Sequence, residues 1–248
     1  MNAAEYANLN RIERDHWYYS GKRQIVREWI QRVRPPKPLD VLLDCGAGTG
    51  RFAQEMEAHC RVLVLDDHEE SLRMLRERFR PEQVLALAGD QVPLPDGSLD
   101  YVTALDVLEH VPDDVAVVRG FHRLLKPGGV AVITVPVGME LWSDWDLVLQ
   151  HHRRYRRAQL CALFPADRWE RVYVNYTNVV VYPIVWAVRK WRSLRTWLGL
   201  PPPKKRSEDQ LPPRWLNATL RAIFVGMAQW RMPFPIGVSL VLVARRRR

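Results

Sequence analysis

Apolar runs that end in an acid, and glycines spaced two apart, are the first places in this 248-residue sequence where chemistry could be done. Val41, Leu42 and Leu43 run into Asp44, and Gly46, Gly48 and Gly50 follow. A continuous apolar run closed by an acid reads as a strand buried on both faces of a parallel sheet. A glycine turn between that strand and a helix beginning near Arg51 places backbone N–H groups, and the positive end of a helix dipole, at the carboxyl end of the sheet. A second apolar run, Val62 to Leu65, ends in Asp66 and Asp67. An acid about 20 residues past such glycines can accept hydrogen bonds from both hydroxyls of a ribose. Asp66 is the candidate, with Asp67 as its neighbour and as the cap of a helix over 69–79. Arg51 occupies the sixth position of what would be G-x-G-x-x-G, which disfavours a nicotinamide dinucleotide.

Further along, VLALAGD (84–90) reads as a third strand ending in Gly89 and Asp90, and YVTAL (101–105) as a fourth, with His110 just beyond it. His151 and His152 open the segment HHRRYRR. Any of the three histidines could take a proton from an attacking hydroxyl. Arg154 and Tyr155 could grip an anionic or sugar-like group through a fork of donors. The bland reading stays open beside this one: His110 packs in a loop, and the arginines face solvent or pair with Asp144 and Asp146.

These groups need a sizeable scaffold, and the composition allows one. A 47% hydrophobic content suits one large α/β domain with an elaboration. Cys45, Cys60 and Cys161 have no metal-ligand spacing, so a reduced setting is expected rather than a disulfide framework. The opening MNAAEYANLNRIERD is too polar for a secretory signal, and no apolar stretch is long and uncharged enough to span a bilayer. The net charge of +9 is uneven: residues 181–248 carry 14 Lys and Arg against Glu208 and Asp209, leaving the first 180 residues mildly acidic. Residues 9–33 read as one helix with Ile25, Val26, Trp29, Ile30 and Val33 at helical spacing, ended by Pro35, Pro36 and Pro38. Two basic amphipathic helices follow at 182–200 and 214–230, one with Ala187, Trp191, Leu194 and Leu198 in a stripe, the other with Leu216, Leu220, Ile223, Phe224 and Met227. Such a pair can lie in a membrane interface or pack on its own protein. The chain divides into a helical cap (1–38), a core (39–180), a Trp-rich basic insertion (181–236) and a last strand with a basic tail (237–248).

The D-x-G-x-G-x-G pattern at 44–50 resembles the nucleoside-binding loop of class I S-adenosylmethionine-dependent methyltransferases. From Asp90, the run through PLPDGSLDYVTALDVLEHVPD to LLKPGGVAVITVP is similar to the methyltransferase type 11 pattern, with PLP, LEHV and LKPGG in order. HWYYSGKRQI (16–25) resembles the H-[FW]-[WY]-x-x-G-[KR]-R element of a bacterial subgroup. WSDWD with HHRRYRR resembles that subgroup's W-S-x-x-D and H-x-R-R-Y segment. The resemblance covers roughly residues 10–180.

It implies a Rossmann-like α/β sheet of seven strands ordered 3-2-1-4-5-7-6, the seventh antiparallel. The fifth strand would fall at 130–135, the sixth at 169–174 and the seventh at 238–243, with a helical insertion between the last two. S-adenosylmethionine would be the cofactor, leaving as S-adenosylhomocysteine, and no metal is implied. Cofactor contacts would fall on Asp44, Gly46, Ala47, Gly48 and Gly50, on Asp66 and Asp67, on Asp90 and Gln91 at the adenine, and on Leu105. His152, His151 and His110, with Tyr155, become the catalytic candidates, the doubled histidine leaving their register open. His16, Trp17, Tyr18 and Arg154 fall on the acceptor side. The chain lacks the [DNS]-P-P-[YFW] element of amino-directed nucleobase methylation, a Pro-Cys nucleophile and the paired-glutamate loop of protein arginine methylation. The expectation is therefore methyl transfer to oxygen of a small-molecule or lipid-linked acceptor by a cytoplasmic protein, with peripheral contact to the inner membrane face through 181–236. A non-catalytic membrane- or nucleic-acid-binding module on the same fold stays open as the alternative.

Overall fold

A computed structural model describes residues 3–87, 91–198, 210–230 and 233–248. Seven strands form one sheet in the order β3-β2-β1-β4-β5-β7-β6. They are β1 (Val41–Cys45), β2 (Arg61–Leu65), β3 (Val84–Leu85), β4 (Leu99–Leu105), β5 (Leu125–Pro136), β6 (Trp169–Thr177) and β7 (Ser239–Arg246). The first five pair in parallel, and β7 is inserted antiparallel between β5 and β6. Both the strand order and the reversed seventh strand are those the sequence implied.

Each strand feeds two cores. Leu42 joins Ile25, Val26, Trp29 and Phe52 on one face of the sheet, whereas Leu43 joins Val118, Phe121 and Leu124 on the other. Successive side chains of a strand point to opposite faces. With both faces covered, β1 therefore reads as an unbroken apolar run. The covering helices are α2 (Trp17–Val33), α3 (Arg51–Met56) and α9 (Arg214–Ala228) on the first face and α5 (Asp114–Leu124) with α7 (Arg157–Leu163) on the second.

The single helix expected over 9–33 is broken. It is resolved as α1 (Ala3–Ile12) and α2, with His16 at the junction accepting the Tyr18 N–H on Nδ1 at 3.3 Å. A side-chain acceptor at that place satisfies an N–H that the new helix would otherwise leave orphaned. The helix after β2, α4 (Glu69–Arg78), has His68 and not Asp67 at its N-cap position, without a side-chain cap hydrogen bond, and the His68 N–H is taken by Asp66 Oδ1 at 3.0 Å. The third strand is short, and Ala88, Gly89 and Asp90 lie outside the described residues.

The two basic helices between β6 and β7 meet different fates. α9 is part of the core: Phe224, Val225 and Ala228 are buried, and the Ala228 carbonyl accepts both Trp29 Nε1 at 3.2 Å and the Tyr173 hydroxyl at 2.9 Å. Where it crosses α2, a Cβ on Gly21 would meet a Phe224 ring carbon at 2.7 Å, so that glycine is what allows the approach. α8 (Tyr182–Trp197), in contrast, leaves Ile184, Trp186, Trp191, Leu194 and, just past it, Leu198 exposed.

Candidate active site

One cavity of about 1680 Å³ runs along the carboxyl ends of β1, β2 and β4. At one end stands the glycine loop. Gly46 and Ala47 donate their N–H groups to the Leu65 carbonyl at 2.8 and 3.0 Å, and Gly48 donates to Asp66 Oδ2 at 2.8 Å. The loop is thus pinned to the end of β2, and the Asp66 carboxylate keeps lone pairs toward the cavity that it lines with Asp67, Gly46 and Gly48. Gln91 and Leu105 line it further on. Ala47 and Gly50 belong to the loop without lining the cavity, and Asp90 lies outside the described residues. Asp44 is also behind the loop. It accepts Thr103 Oγ1 at 2.7 Å, and burial, followed by the nearby Asp66, pushes its carboxyl up to about 7.

Opposite the loop, α2 supplies His16, Trp17, Tyr18 and Lys22 to the wall. The aromatic segment therefore both packs and lines: Trp17 and Tyr18 lie against Phe224 while facing the cavity. Lys22 Nζ reaches Asp106 Oδ2 at 2.6 Å, and Tyr18 donates to the same oxygen at 3.2 Å. Asp106 holds φ at 57° and takes Thr134 Oγ1 at 2.7 Å on its other oxygen. Burial would raise this carboxyl, but Lys22 outweighs it and holds the acid below its usual range.

The other end of the cavity is built by the turn after β4 and the segment after β5. Glu109 is fully buried, and neither carboxylate oxygen has a hydrogen-bond partner among the described residues. Burial, then the charge on Asp106, pushes its carboxyl well above the usual range. His110 stands edge-on to His151 with ring centroids 4.6 Å apart, and burial, then His151, pushes its imidazole down to about 4. His151 Nδ1 lies 2.9 Å from Asp146 Oδ1. Asp146 sits on the short helix α6 (Asp144–Val148) and is also held by Arg154 at 2.6 Å and by Arg189 of α8 at 3.4 Å.

His152 is exposed at the rim, its backbone N–H donating to the Glu109 carbonyl at 2.8 Å. Tyr155 does not line the cavity. It is 3% exposed, and its hydroxyl donates to Asp114 Oδ2 at 2.6 Å and to the Leu108 carbonyl at 3.1 Å, which makes it a strut. Arg154 lines the cavity but spends its Nε on Asp146, and Arg153 pairs with Asp114 rather than with Asp144 or Asp146. Lys22, Asp106, Glu109 and Arg189 were not singled out from the sequence. Lys22 and Glu109 stand inside the SGKR and LEHV stretches, and an acid immediately after the fourth strand is the usable signal for Asp106.

The sheet order, the reversed seventh strand and the glycine loop with an acid at the end of β2 define the class I methyltransferase fold. Residues 43–133 match the family model described as a methyltransferase domain. Among curated proteins, the chain is 36% identical over 134 residues to the ubiquinone biosynthesis O-methyltransferase of Xanthomonas oryzae pv. oryzae, covering 42% of this chain and 54% of that protein. It is 29% identical over 136 residues to the demethylmenaquinone methyltransferase of Geobacillus stearothermophilus, covering 52% and 57%. The chain spans about half the length of the curated relatives it matches. Among solved structures, a chain of the complex between the Haloferax volcanii Trm112 methyltransferase activator and a methyltransferase superposes with a TM-score of 0.62 at 15% identity, covering 99% of this chain and 96% of that one. Phosphoethanolamine N-methyltransferase 2 of Haemonchus contortus, solved with S-adenosyl-L-methionine, gives 0.57 at 19% identity, covering 91% and 52%. The chain therefore carries a methyltransferase domain at residues 43–133, set in the fold of the class I S-adenosylmethionine-dependent methyltransferases.

The donor set suits that cofactor. Carboxylates at the end of β2 match a ribose diol, and a Cβ at Gly48 would meet nothing within 4 Å, so the loop leaves open space on its cavity side.

Proposed function

We propose that this chain transfers a methyl group from S-adenosylmethionine to an oxygen of a small-molecule or lipid-linked acceptor. The observation that carries the reading is the continuity of the cavity from Gly46 and Asp66 to Lys22, Glu109, His110 and His151. Bound S-adenosylmethionine supplies an electrophilic methyl on a sulfonium. The protein's share is then orientation and exclusion of water. Asp66 holds the ribose, the glycine loop leaves room for the main chain to be approached, and Val181, Val185 and Arg189 of α8 and the turn before it roof the acceptor end. The imidazoles of His151 and His110 stand where an acceptor hydroxyl would lose its proton, and His152 guards the rim. The O-methyltransferase among the relatives supports oxygen as the acceptor atom.

Calorimetric titration with S-adenosylhomocysteine, with NAD and NADP as controls, tests the reading. Binding of the homocysteine compound alone is the expected result, and Asp66→Ala should weaken it by about 1–3 kcal/mol, the loss of a charged hydrogen-bond acceptor. Unchanged affinity in that variant removes the ribose assignment. No binding by the intact chain favours the non-catalytic alternative.

The outer face of α8 supports a lipid-linked acceptor. Ile184, Trp186, Trp191 and Leu194 are exposed beside Lys190 and Arg192, on the helix whose inner face roofs the cavity. A basic, Trp-bearing amphipathic helix of this kind favours an anionic membrane surface, and no described helix is long and apolar enough to cross a membrane. Because α9 is in the core, deleting the whole insertion would unfold the protein. The double variant Ile184→Glu/Trp191→Glu is the cleaner probe. Co-sedimentation with anionic vesicles should fall at least tenfold in it, and undiminished binding, or none by the parent chain, refutes the membrane contact.

A further inference from the structure

Glu109, His110 and His151 form a cluster that hydrogen bonding within the protein leaves incomplete. One ligand atom from each residue lies within 4.8 Å of the other two. Glu109 is 0% exposed with both oxygens unpartnered among the described residues and faces the cavity. A buried carboxylate without a partner is costly, and buried charges are normally paired or bound to a metal. Lys22, the nearest buried ammonium in this wall, is committed to Asp106 at 2.6 Å, and Arg154 and Arg189 are committed to Asp146.

The histidine opposite is prepared in a way that goes beyond packing. His151 Nδ1 meets Asp146 Oδ1 at 2.9 Å, so Nδ1 carries the hydrogen and Nε2 is left as a lone-pair donor. A carboxylate behind an imidazole is the arrangement that fixes tautomer and ring orientation in metal-bound histidines. Asp146 is itself immobilised by Arg154 Nε at 2.6 Å and by the Ser143 N–H at 2.9 Å. The His152 N–H bonded to the Glu109 carbonyl at 2.8 Å ties the two ligand-bearing segments together. The rings of His110 and His151, at 81° to one another, come from segments 41 residues apart, which is why no ligand spacing is visible in the sequence.

We propose that Glu109, His110 and His151 bind a divalent transition-metal ion of the zinc or cobalt type, with open coordination positions facing the cavity for water or an acceptor oxygen. Two imidazoles and one carboxylate are a donor set that zinc and its neighbours accept while keeping positions free. Ligand atoms around one tetrahedral ion at about 2.0–2.2 Å stand roughly 3.3–3.6 Å apart, so separations of up to 4.8 Å must close by as much as about 1.5 Å. Rotation of the half-buried His110 ring, which lacks a rigid partner of the Asp146 kind among the described bonds, provides that movement. With the ion bound, His110 and His151 give their lone pairs to it and no longer take the acceptor's proton; the ion neutralises the Glu109 carboxylate and offers a hydroxylated acceptor, made more acidic by coordination, a point of attachment beside the methyl-transfer end of the cavity. That last clause rests on the methyltransferase reading, whereas metal binding itself does not.

The test uses the full chain without an affinity tag, dialysed against chelator and then titrated with Zn²⁺ by calorimetry and with Co²⁺ by visible absorption. One equivalent should bind with micromolar or tighter affinity, and Co²⁺ should give the absorption bands of a site with nitrogen and oxygen ligands. Glu109→Gln, which keeps shape, and His151→Ala should each weaken Zn²⁺ binding at least tenfold. His59→Ala, an exposed histidine elsewhere, should leave it unchanged. Absence of stoichiometric binding, or binding that survives both cluster substitutions, overturns the proposal. S-adenosylhomocysteine titrated into the same metal-free samples separates the two readings: loss of metal binding with cofactor binding intact sinks only the metal site, and the reverse sinks only the cofactor assignment.

Discussion

Asp146→Ala should cost about 3–5 kcal/mol of unfolding free energy at pH 7, the range for removing one partner of a buried ion pair. Asp146 is fully buried, and the Arg154 side chain beside it is 4% exposed. Alanine would leave that guanidinium uncompensated, strand the Nδ1 hydrogen of His151 and release Arg189 of α8. The loss should depend on pH. Burial by itself would raise the Asp146 carboxyl, but hydrogen bonds from His151 and Arg154 and the Arg154 charge outweigh it and hold it below the usual aspartate range. The unfolded chain therefore binds this proton more readily than the native one. The stability that Asp146 contributes is present above the ordinary aspartate range and is lost as pH falls through the lowered native value. Urea unfolding of wild type and variant at pH 7 and pH 3 should show a wide gap that narrows in acid. A gap under about 1 kcal/mol at pH 7, no more than an exposed pair would give, or one indifferent to pH, would falsify this account.

Gly46→Ala is the second large effect. The residue has φ of 67°, and a Cβ there would lie 2.4 Å from Val107 Cγ2. The left-handed conformation costs an alanine about 1–2 kcal/mol, and overpacking adds about 1–3 kcal/mol. Thermal unfolding should show a combined loss of roughly 2–5 kcal/mol from these two sources, and S-adenosylhomocysteine affinity should fall at least tenfold as the loop moves away from β2. Gly48→Ala separates the causes: φ is 57° there, but the added carbon meets nothing within 4 Å. It should show the conformational cost alone. Val107→Ala in the Gly46→Ala background should recover the packing part. Equal losses at the two glycines would show that the contact with Val107 is irrelevant.

The cofactor half of the cavity was legible in the sequence because local rules govern it. A buried parallel strand must be apolar throughout, its turn must be glycine-rich, and the ribose acid must end the next strand, so residues 41–67 announce themselves. The other half was legible only in part: His110, His151, His152 and Arg154 could be picked out as candidates and do line the cavity, but the groups that hold them could not. Glu109, Asp146 and His151 are brought together by turns and short helices that carry no periodicity, and Arg189 joins them from a position of α8 outside its apolar stripe, so their signals were confined to single residues. Periodicity also stopped short at the insertion. α8 and α9 show the same amphipathic pattern, yet Phe224 and Val225 face the core and Trp191 and Leu194 face solvent. A stripe records that a helix has an apolar side, and only the partner decides whether that side is covered. The break at His16 was hidden for a related reason, since the aromatic run continues the helical spacing on both sides of the junction.

The seating of α9 against α2 also bears on how the chain acquires its structure. Trp17 donates its N–H to Asn217 Oδ1 at 2.8 Å, Asn217 returns a bond to the Asp15 carbonyl, and Trp29 closes onto Ala228, each across about 200 residues. In the sheet, β7 fills the gap between β5 and β6. Contacts so distant in sequence must wait for the closure of long loops, which slows assembly. During synthesis the apolar face of α2 and the inner edges of β5 and β6 therefore stay uncovered until residues 214–246 have left the ribosome, and uncovered apolar surface and unpaired strand edges of that kind favour aggregation.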